Sequence, residues 1–231
     1  MKELVVVIPA YNPPKRMVSY VGELIKLGFL KIIIVNDGSD ECFQSVFEQV
    51  RENKEVIILH NKRNKGKGYS LKKAFSFICK QDNSCIGVIT VDADGQHTIS
   101  DVKRLAKLFL EDATKCILGI RDFSAKQVPF VRKCSNRLTN CIFARLYHRQ
   151  IHDTQSGFRI FPCFLLPDLC KLEGDRYEYE LMVLIDLVKK GREIRECQIA
   201  TVYHKEKKAS SFRPIYDSVQ VYKMMWKGKR R

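Results

Sequence analysis

The 231-residue chain has one tryptophan, no CxxC pair and no apolar run approaching 18 residues. The last absence leaves no segment expected to span a bilayer. Its nine cysteines (42, 79, 85, 116, 134, 141, 163, 170 and 197) are odd in number and sit mostly in apolar runs. They therefore read as reduced core residues, not as a disulfide framework. No leader peptide precedes the first strand, because Met1-Lys2-Glu3 runs straight into it, so a cytoplasmic location is expected. Internal repeats and low-complexity tracts are also missing. Acidic residues are scarce: 26 Asp and Glu face 41 Lys and Arg, a net charge of +15. Such an excess points to an anionic partner: nucleic acid, a membrane surface or a phosphorylated substrate. The signatures of helix-turn-helix, zinc-finger and RRM modules are absent, which argues against nucleic acid.

What is present is an α/β pattern with 45% hydrophobic residues, enough for a sizeable core. Apolar runs at Leu4–Ile8, Ile32–Val35, Val56–Leu59 and Ile86–Val91 read as buried strands. Between them lie stretches with helical spacing, such as Met17, Val18, Val21, Leu24 and Ile25. Strands alternating with helices predict right-handed βαβ units and a largely parallel sheet. Further on, Cys116–Gly119 reads as a strand, Val131–Tyr147 as a basic helix and Thr154–Phe161 as turn plus strand. Glu178–Lys190 reads as a helix, and Cys197, Ile199, Thr201 and Tyr203 as an alternating strand.

The polar clusters fall at the carboxyl ends of the strands, where such sheets bind ligands: Tyr11-Asn12, Asn36-Asp37-Gly38, Asn64–Gly68 and Asp92-Ala93-Asp94. The two aspartates, one residue apart at the end of a buried strand, can converge on one point and offer hard oxygen donors suited to Mg²⁺ or Mn²⁺. A solvated acidic turn is the competing reading. Asp37 could accept the ring N–H of uracil or guanine, or form an Asx turn that caps the next helix. The basic loop Asn64-Lys65-Gly66-Lys67-Gly68 could cradle phosphate or simply be solvated; it lacks Walker A spacing. His148 and His152 have zinc-like spacing but no third ligand. Glu178 and Glu180 suit a helix start, with a role as base or acceptor contact left open.

The last 28 residues carry a net +7, and Ile215, Val219, Tyr222 and Trp226 fall within one helical arc. That describes either a helix lying on an anionic membrane or a face packed on the core.

Assembled, these pieces resemble family 2 glycosyltransferases of the GT-A fold, in the polyprenyl- or dolichyl-phosphate sugar synthase branch. The resemblance rests on VVVIPAYN (5–12), IIIVNDGSD (32–40), NKGKG (64–68), VDADGQH (91–97), LGIRDF (118–123), DTQSGFRIF (153–161), GDRYEYE (174–180) and SSFRPIYDS (210–218). It implies a three-layer α/β/α catalytic domain over residues 1–209 and a basic amphipathic tail over 210–231.

By position, Pro9, Tyr11 and Asn12 would line the nucleotide site, Asp37 would hold the base, and Lys67 would face the base or pyrophosphate. Asp92, Asp94 and Gln96 would bind Mg²⁺ or Mn²⁺. Arg121 and Arg132, with Ser135 nearby, would contact the acceptor phosphate, and Arg213, beside Ser210 and Ser211, would close over the phosphates. The activity implied is inverting transfer of mannose or glucose from GDP-mannose or UDP-glucose to a polyprenyl phosphate. It would take place peripherally at the cytoplasmic face of a membrane, with a small integral membrane protein as a further partner. A polysaccharide or other non-lipid acceptor is the alternative.

Overall fold

The computed structural model describes residues 1–81, 84–122, 130–200, 202 and 223–227, with residues 130–135 described in backbone course alone. Among the described residues, seven strands and seven α-helices set the order of the chain, with two short 3-10 turns between them. They are β1 (Leu4–Ala10), α1 (Arg16–Lys26), β2 (Lys31–Asn36), α2 (Gln44–Arg51), β3 (Val56–His60), α3 (Lys67–Cys79) and β4 (Gly87–Thr90). After these come α4 (Ile99–Glu111), β5 (Cys116–Arg121), α5 (Phe130–Tyr147), β6 (Arg159–Pro162), α6 (Leu166–Leu169), α7 (Glu178–Lys189) and β7 (Ile194–Ile199).

The strands form one seven-stranded sheet in the order β3-β2-β1-β4-β6-β5-β7. Every pairing is parallel except those of β6, which runs against both β4 and β5. The expected largely parallel α/β sheet is thus present. Alternate residues of each central strand serve opposite faces, as the two-residue period requires. Val5 and Val7 join Ile33 and Val35 in packing against α3 and α7, whereas Leu4, Val6 and Ile8 join Ile32 and Ile34 against α1, α2 and α4. Those two apolar layers, one on each side of the sheet, make the three-layer arrangement.

Local signals explain several boundaries. Thr98 caps α4, its hydroxyl accepting from the Asp101 N–H. Gly66, at φ +108°, turns the chain into α3. Lys67, read from sequence as a loop residue, therefore opens the helix.

Two other expectations need correction. The last strand among the described residues is Ile194–Ile199, starting three residues before the expected Cys197 and paired with β5 from Cys116 to Arg121; residues 201 and 203 lie outside the described residues. The cysteines are not uniformly core residues either. Cys42, Cys79 and Cys141 are exposed and, among the described ones, only Cys116 is fully buried. Apolar neighbours in sequence do not bury a residue on the outer arc of a helix.

No helix of the described residues is long and apolar enough to cross a membrane. The short helical segment at 223–227 docks on the core. Met225 is fully buried, its carbonyl accepts from the Tyr147 hydroxyl at 2.5 Å, and Lys227 pairs with Glu173 at 2.6 Å. Trp226 faces outward, 58% exposed. Part of the tail thus follows the core-packing alternative, while its tryptophan does not.

Candidate active site

The carboxyl ends of β1, β2 and β4 meet at one edge of the sheet, and their loops are tied to one another. Beyond β1, Asn12 takes a left-handed backbone (φ +47°), one that Asn tolerates better than most side chains. Its N–H donates to Ser39 Oγ at 2.9 Å, and its side-chain amide exchanges hydrogen bonds with Asp40. Pro9 lies within β1 opposite Val35, and Tyr11 follows the strand, half-buried.

Asp37 is buried and its carboxylate is heavily engaged. Oδ1 accepts from Asn61 Nδ2 at 2.7 Å and from the Lys65 N–H at 3.0 Å, and Oδ2 accepts from the Gly66 N–H at 2.8 Å. The residue therefore organises the 61–66 loop. At the neighbouring Gly38 (φ +69°) an added Cβ would stand 2.3 Å from the Arg63 carbonyl carbon, so the loop can lie against it only because a glycine is there.

The centre of the site is a buried charge cluster. Lys67 Nζ lies 2.7 Å from Asp92 Oδ1 and 2.9 Å from Glu180 Oε1. Burial alone would lower the Lys67 pKa, but the two carboxylates outweigh it and hold the ammonium above its ordinary range. Burial would likewise raise Asp92, yet Lys67 and then His97, whose Nε2 is 3.3 Å from Oδ2, hold it well below the usual carboxylate range. His97 is itself buried and tilts against the Phe158 ring at 5.2 Å.

Asp94 and Gln96 lie beside this cluster, both half-buried. Asp94 Oδ1 accepts from the Gln96 N–H at 3.1 Å, and Arg16 Nε on α1 donates to the Asp94 carbonyl at 2.7 Å. Tyr20, also on α1, is buried with its hydroxyl unpartnered among the described residues; burial first, then Asp92 and Asp94, push its pKa up.

The floor comes from the turn before β6. Thr90 donates to the Gly157 carbonyl at 2.9 Å. A Cβ at Gly157 would lie 2.6 Å from Lys67 Nζ and 3.1 Å from both Asp92 carboxylate oxygens. Buried Arg159 braces that turn, donating to the carbonyls of Ser156, Thr154 and Glu180.

Arg121, at the end of β5, is held in a two-pronged pair with fully buried Asp153: Nε to Oδ2 at 2.7 Å and Nη2 to Oδ1 at 3.0 Å. Beside it opens a cavity of about 660 Å³, lined among others by Asn136, Asn140, Ala144, Ile151 and Gln198. Arg132 and Ser135 fall on α5, but their side chains lie outside the described residues, as do Ser210, Ser211 and Arg213. His152 is not paired with His148 but with Glu196, at 2.7 Å.

The structure thus brings Asp92, Asp94, Gln96 and Lys67 to one edge. It adds His97, Tyr20 and Gly157, none of which sequence reasoning selected, and it brings in Glu180. Glu180 stood open as a base; its engagement with Lys67 makes it a partner of that cation. Asp92, Asp94 and Gln96 together offer only oxygen donors, and two carboxylates with one amide leave room for phosphate oxygens, which suits Mg²⁺ or Mn²⁺. Among the described residues no group of three or more His, Cys, Asp and Glu is arranged as a metal site, so a divalent ion here would need the Gln96 amide and oxygens of its ligand beside the two carboxylates.

Comparison with known proteins places the chain in a family. The chain is 29% identical over 223 residues to the UDP-N-acetylglucosamine–dolichyl-phosphate N-acetylglucosaminyltransferase of Methanococcus voltae, covering 87% of this chain and 86% of that protein. It is 26% identical over 229 residues to the dolichyl-phosphate β-glucosyltransferase of Saccharomyces cerevisiae, covering 85% and 66% respectively. Among solved structures, glucosyl-3-phosphoglycerate synthase from Mycobacterium tuberculosis in complex with Mn²⁺, UDP-glucose and phosphoglyceric acid superposes with a TM-score of 0.73. That match covers 98% of this chain and 79% of that one at 16% identity, and it shares the fold. Residues 5–169 match the family described as Glycosyl transferase family 2, and the chain belongs to it.

Proposed function

We propose that the protein transfers a hexose from a nucleoside-diphosphate sugar to a polyprenyl phosphate, with inversion at the anomeric carbon. The observation that carries this reading is the Asp92–Lys67–Glu180 cluster beside Asp94 and Gln96. It is a pre-organised, partly dry place in which negative charge on a leaving diphosphate can be met. The relative named for UDP-N-acetylglucosamine weights the donor towards a UDP sugar, and the one named for β-glucosyl transfer weights the sugar away from mannose.

Asp92, Asp94 and Gln96 would hold Mg²⁺ or Mn²⁺, which when bound supplies neutralisation of the diphosphate. Lys67, kept charged by its carboxylates, adds a fixed cation at the same edge. Asp37 shapes the base pocket through the 61–66 loop, and Pro9, Tyr11 and Asn12 wall it. A lipid monophosphate loses its second proton near pH 6, by analogy with other monoesters, so it arrives ionised and needs no strong base. The work left to the protein is positioning: Arg121, aimed by Asp153, and Arg132 would orient the acceptor phosphate, with the cavity beside Arg121 receiving it. Arg213 would close over the phosphates.

Incubation with UDP-glucose, UDP-N-acetylglucosamine or GDP-mannose, Mn²⁺ and polyprenyl phosphate should yield a glycolipid. Transfer to soluble sugars alone would overturn the reading in favour of a polysaccharide acceptor. Arg132→Ala should raise the acceptor KM or lower kcat at least tenfold while donor affinity holds. Loss of nucleotide-sugar binding alone would put Arg132 on the donor side.

We also propose that the tail places the protein on an anionic membrane surface, with or without an integral membrane partner. Exposed Trp226 and the basic residues Lys223, Lys227, Lys229, Arg230 and Arg231 favour it. Co-sedimentation with anionic vesicles should fall on raising salt and in a Trp226→Ser, Lys229→Ser, Arg230→Ser, Arg231→Ser chain, which keeps the buried Met225 in place. Equal binding by both chains would move membrane contact elsewhere.

A further inference from the structure

At the opposite end of β4 from Asp92 lie two thiols in contact. Cys85 precedes β4 and Cys163 follows β6, and their sulfurs are 2.7 Å apart. The antiparallel register that pairs Gly87 with Pro162 continues outward, the Cys163 N–H donating to the Ile86 carbonyl at 2.9 Å. Cys163 is therefore held by paired backbone, and Cys85 directly precedes the Ile86 that it pairs with. A disulfide bond is about 2.05 Å long, so bonding requires a shift of well under 1 Å, within the reach of side-chain rotation. Both residues are partly accessible.

We propose that Cys85 and Cys163 form a modification site, a dithiol that closes to an intramolecular disulfide on meeting a low-molecular-weight disulfide and so ties β4 to β6. In the first step the Cys85 thiolate attacks one sulfur of the small disulfide, giving a mixed disulfide and releasing one small thiolate. In the second, the Cys163 thiolate attacks Cys85 Sγ and releases the other. Two electrons pass from the protein to the small disulfide, and the two cysteine protons end on the two released thiols. The order of attack follows from the contact. Either thiol can donate in this 2.7 Å contact; the hydrogen bond with Cys163 lowers the pKa of the Cys85 thiol, while the same contact and burial raise Cys163.

A second pair of thiols, Cys79 at the end of α3 and Cys170, is close by. Cys79 is exposed on a helix terminus, which makes it the competitor for the small disulfide.

The site lies seven residues along an extended strand from Asp92, about 20 Å away, so closure acts on stability and not on the chemistry. The ring spans 78 positions of chain and includes Asp92, Asp94, Gln96 and Arg121. Removing that freedom from the unfolded chain should raise the Tm by about 5–10 °C.

The test is to treat the reduced full chain with oxidised glutathione, block remaining thiols with a maleimide and map the peptides by mass. The expected result is a linked peptide joining Cys85 to Cys163 that dithiothreitol reverses. A rise in Tm should accompany it, absent in Cys85→Ser and Cys163→Ser. Recovery of both residues as maleimide adducts, with glutathione on Cys42, Cys79 or Cys141, would overturn the proposal. So would a Cys79–Cys170 link formed in place of Cys85–Cys163. The mapping uses the native chain, so the outcome stands even if a variant fails to fold.

Discussion

Asp94→Asn is expected to leave the Tm within about 2 °C of the parent and to lower turnover by roughly a thousandfold. Asp94 is half-buried, and the hydrogen bond its Oδ1 accepts from the Gln96 N–H is one that an asparagine oxygen can also accept. Arg16 holds the residue through its carbonyl, which the substitution does not touch. What disappears is one formal negative charge where a divalent cation and a diphosphate must be brought together. Calorimetric titration of Mn²⁺ with UDP present should then show weakened, non-cooperative binding, while circular dichroism is unchanged. Full activity of the parent chain in EDTA would remove the basis for this expectation.

Lys67→Met is expected to do more damage, because it strikes the fold and the site together. The side chain it replaces is 15% exposed and neutralises Asp92 and Glu180 at once. Breaking a buried pair by removing one partner typically costs about 3–5 kcal/mol, since the remaining charge stays desolvated. Asp92 retains His97 and is one-third exposed, so the larger share of that cost should fall on Glu180, 8% exposed. A Lys67→Met, Glu180→Gln chain should therefore recover much of the lost Tm without recovering activity. Gly157→Ala separates position from charge. Its added carbon would stand 2.6 Å from Lys67 Nζ and displace the ammonium without removing it. Activity should fall about 10- to 100-fold, with a Tm loss well below that of Lys67→Met. Equal Tm losses in the two variants would mean that the cluster is chiefly structural.

The order of strands and helices was legible in the sequence because buried parallel strands are continuous apolar runs and the helices between them carry a strong 3.6-residue period. The Asp92–Gln96 turn was legible for a related reason: charges at the end of such a run demand a partner. What the sequence could not show was which partner. Lys67, Asp92, Glu180 and Gly157 come from four separate segments, and the relevant facts are distances between them. Glu180 illustrates the difficulty, since a glutamate in the first turn of a helix is already accounted for by the helix dipole. Asp37 illustrates another, since recognition of a base and organisation of a loop call for the same buried carboxylate.

The reversed strand β6 also bears on how the protein folds. Pairings among β1, β2 and β3 join neighbouring βαβ units, but the Thr90 hydroxyl meets the Gly157 and Arg159 carbonyls across 67 and 69 residues of chain. Closing loops of that size costs entropy before any contact compensates, so non-local pairing tends to be slow. The nucleotide-side half of the cleft can therefore consolidate early, while its floor waits for the second half of the chain. A chain halted before β6 would carry Lys67 and Asp92 with no Gly157 beneath them and no Glu180 beside them. Catalytic competence should consequently be the last property the protein acquires as it folds.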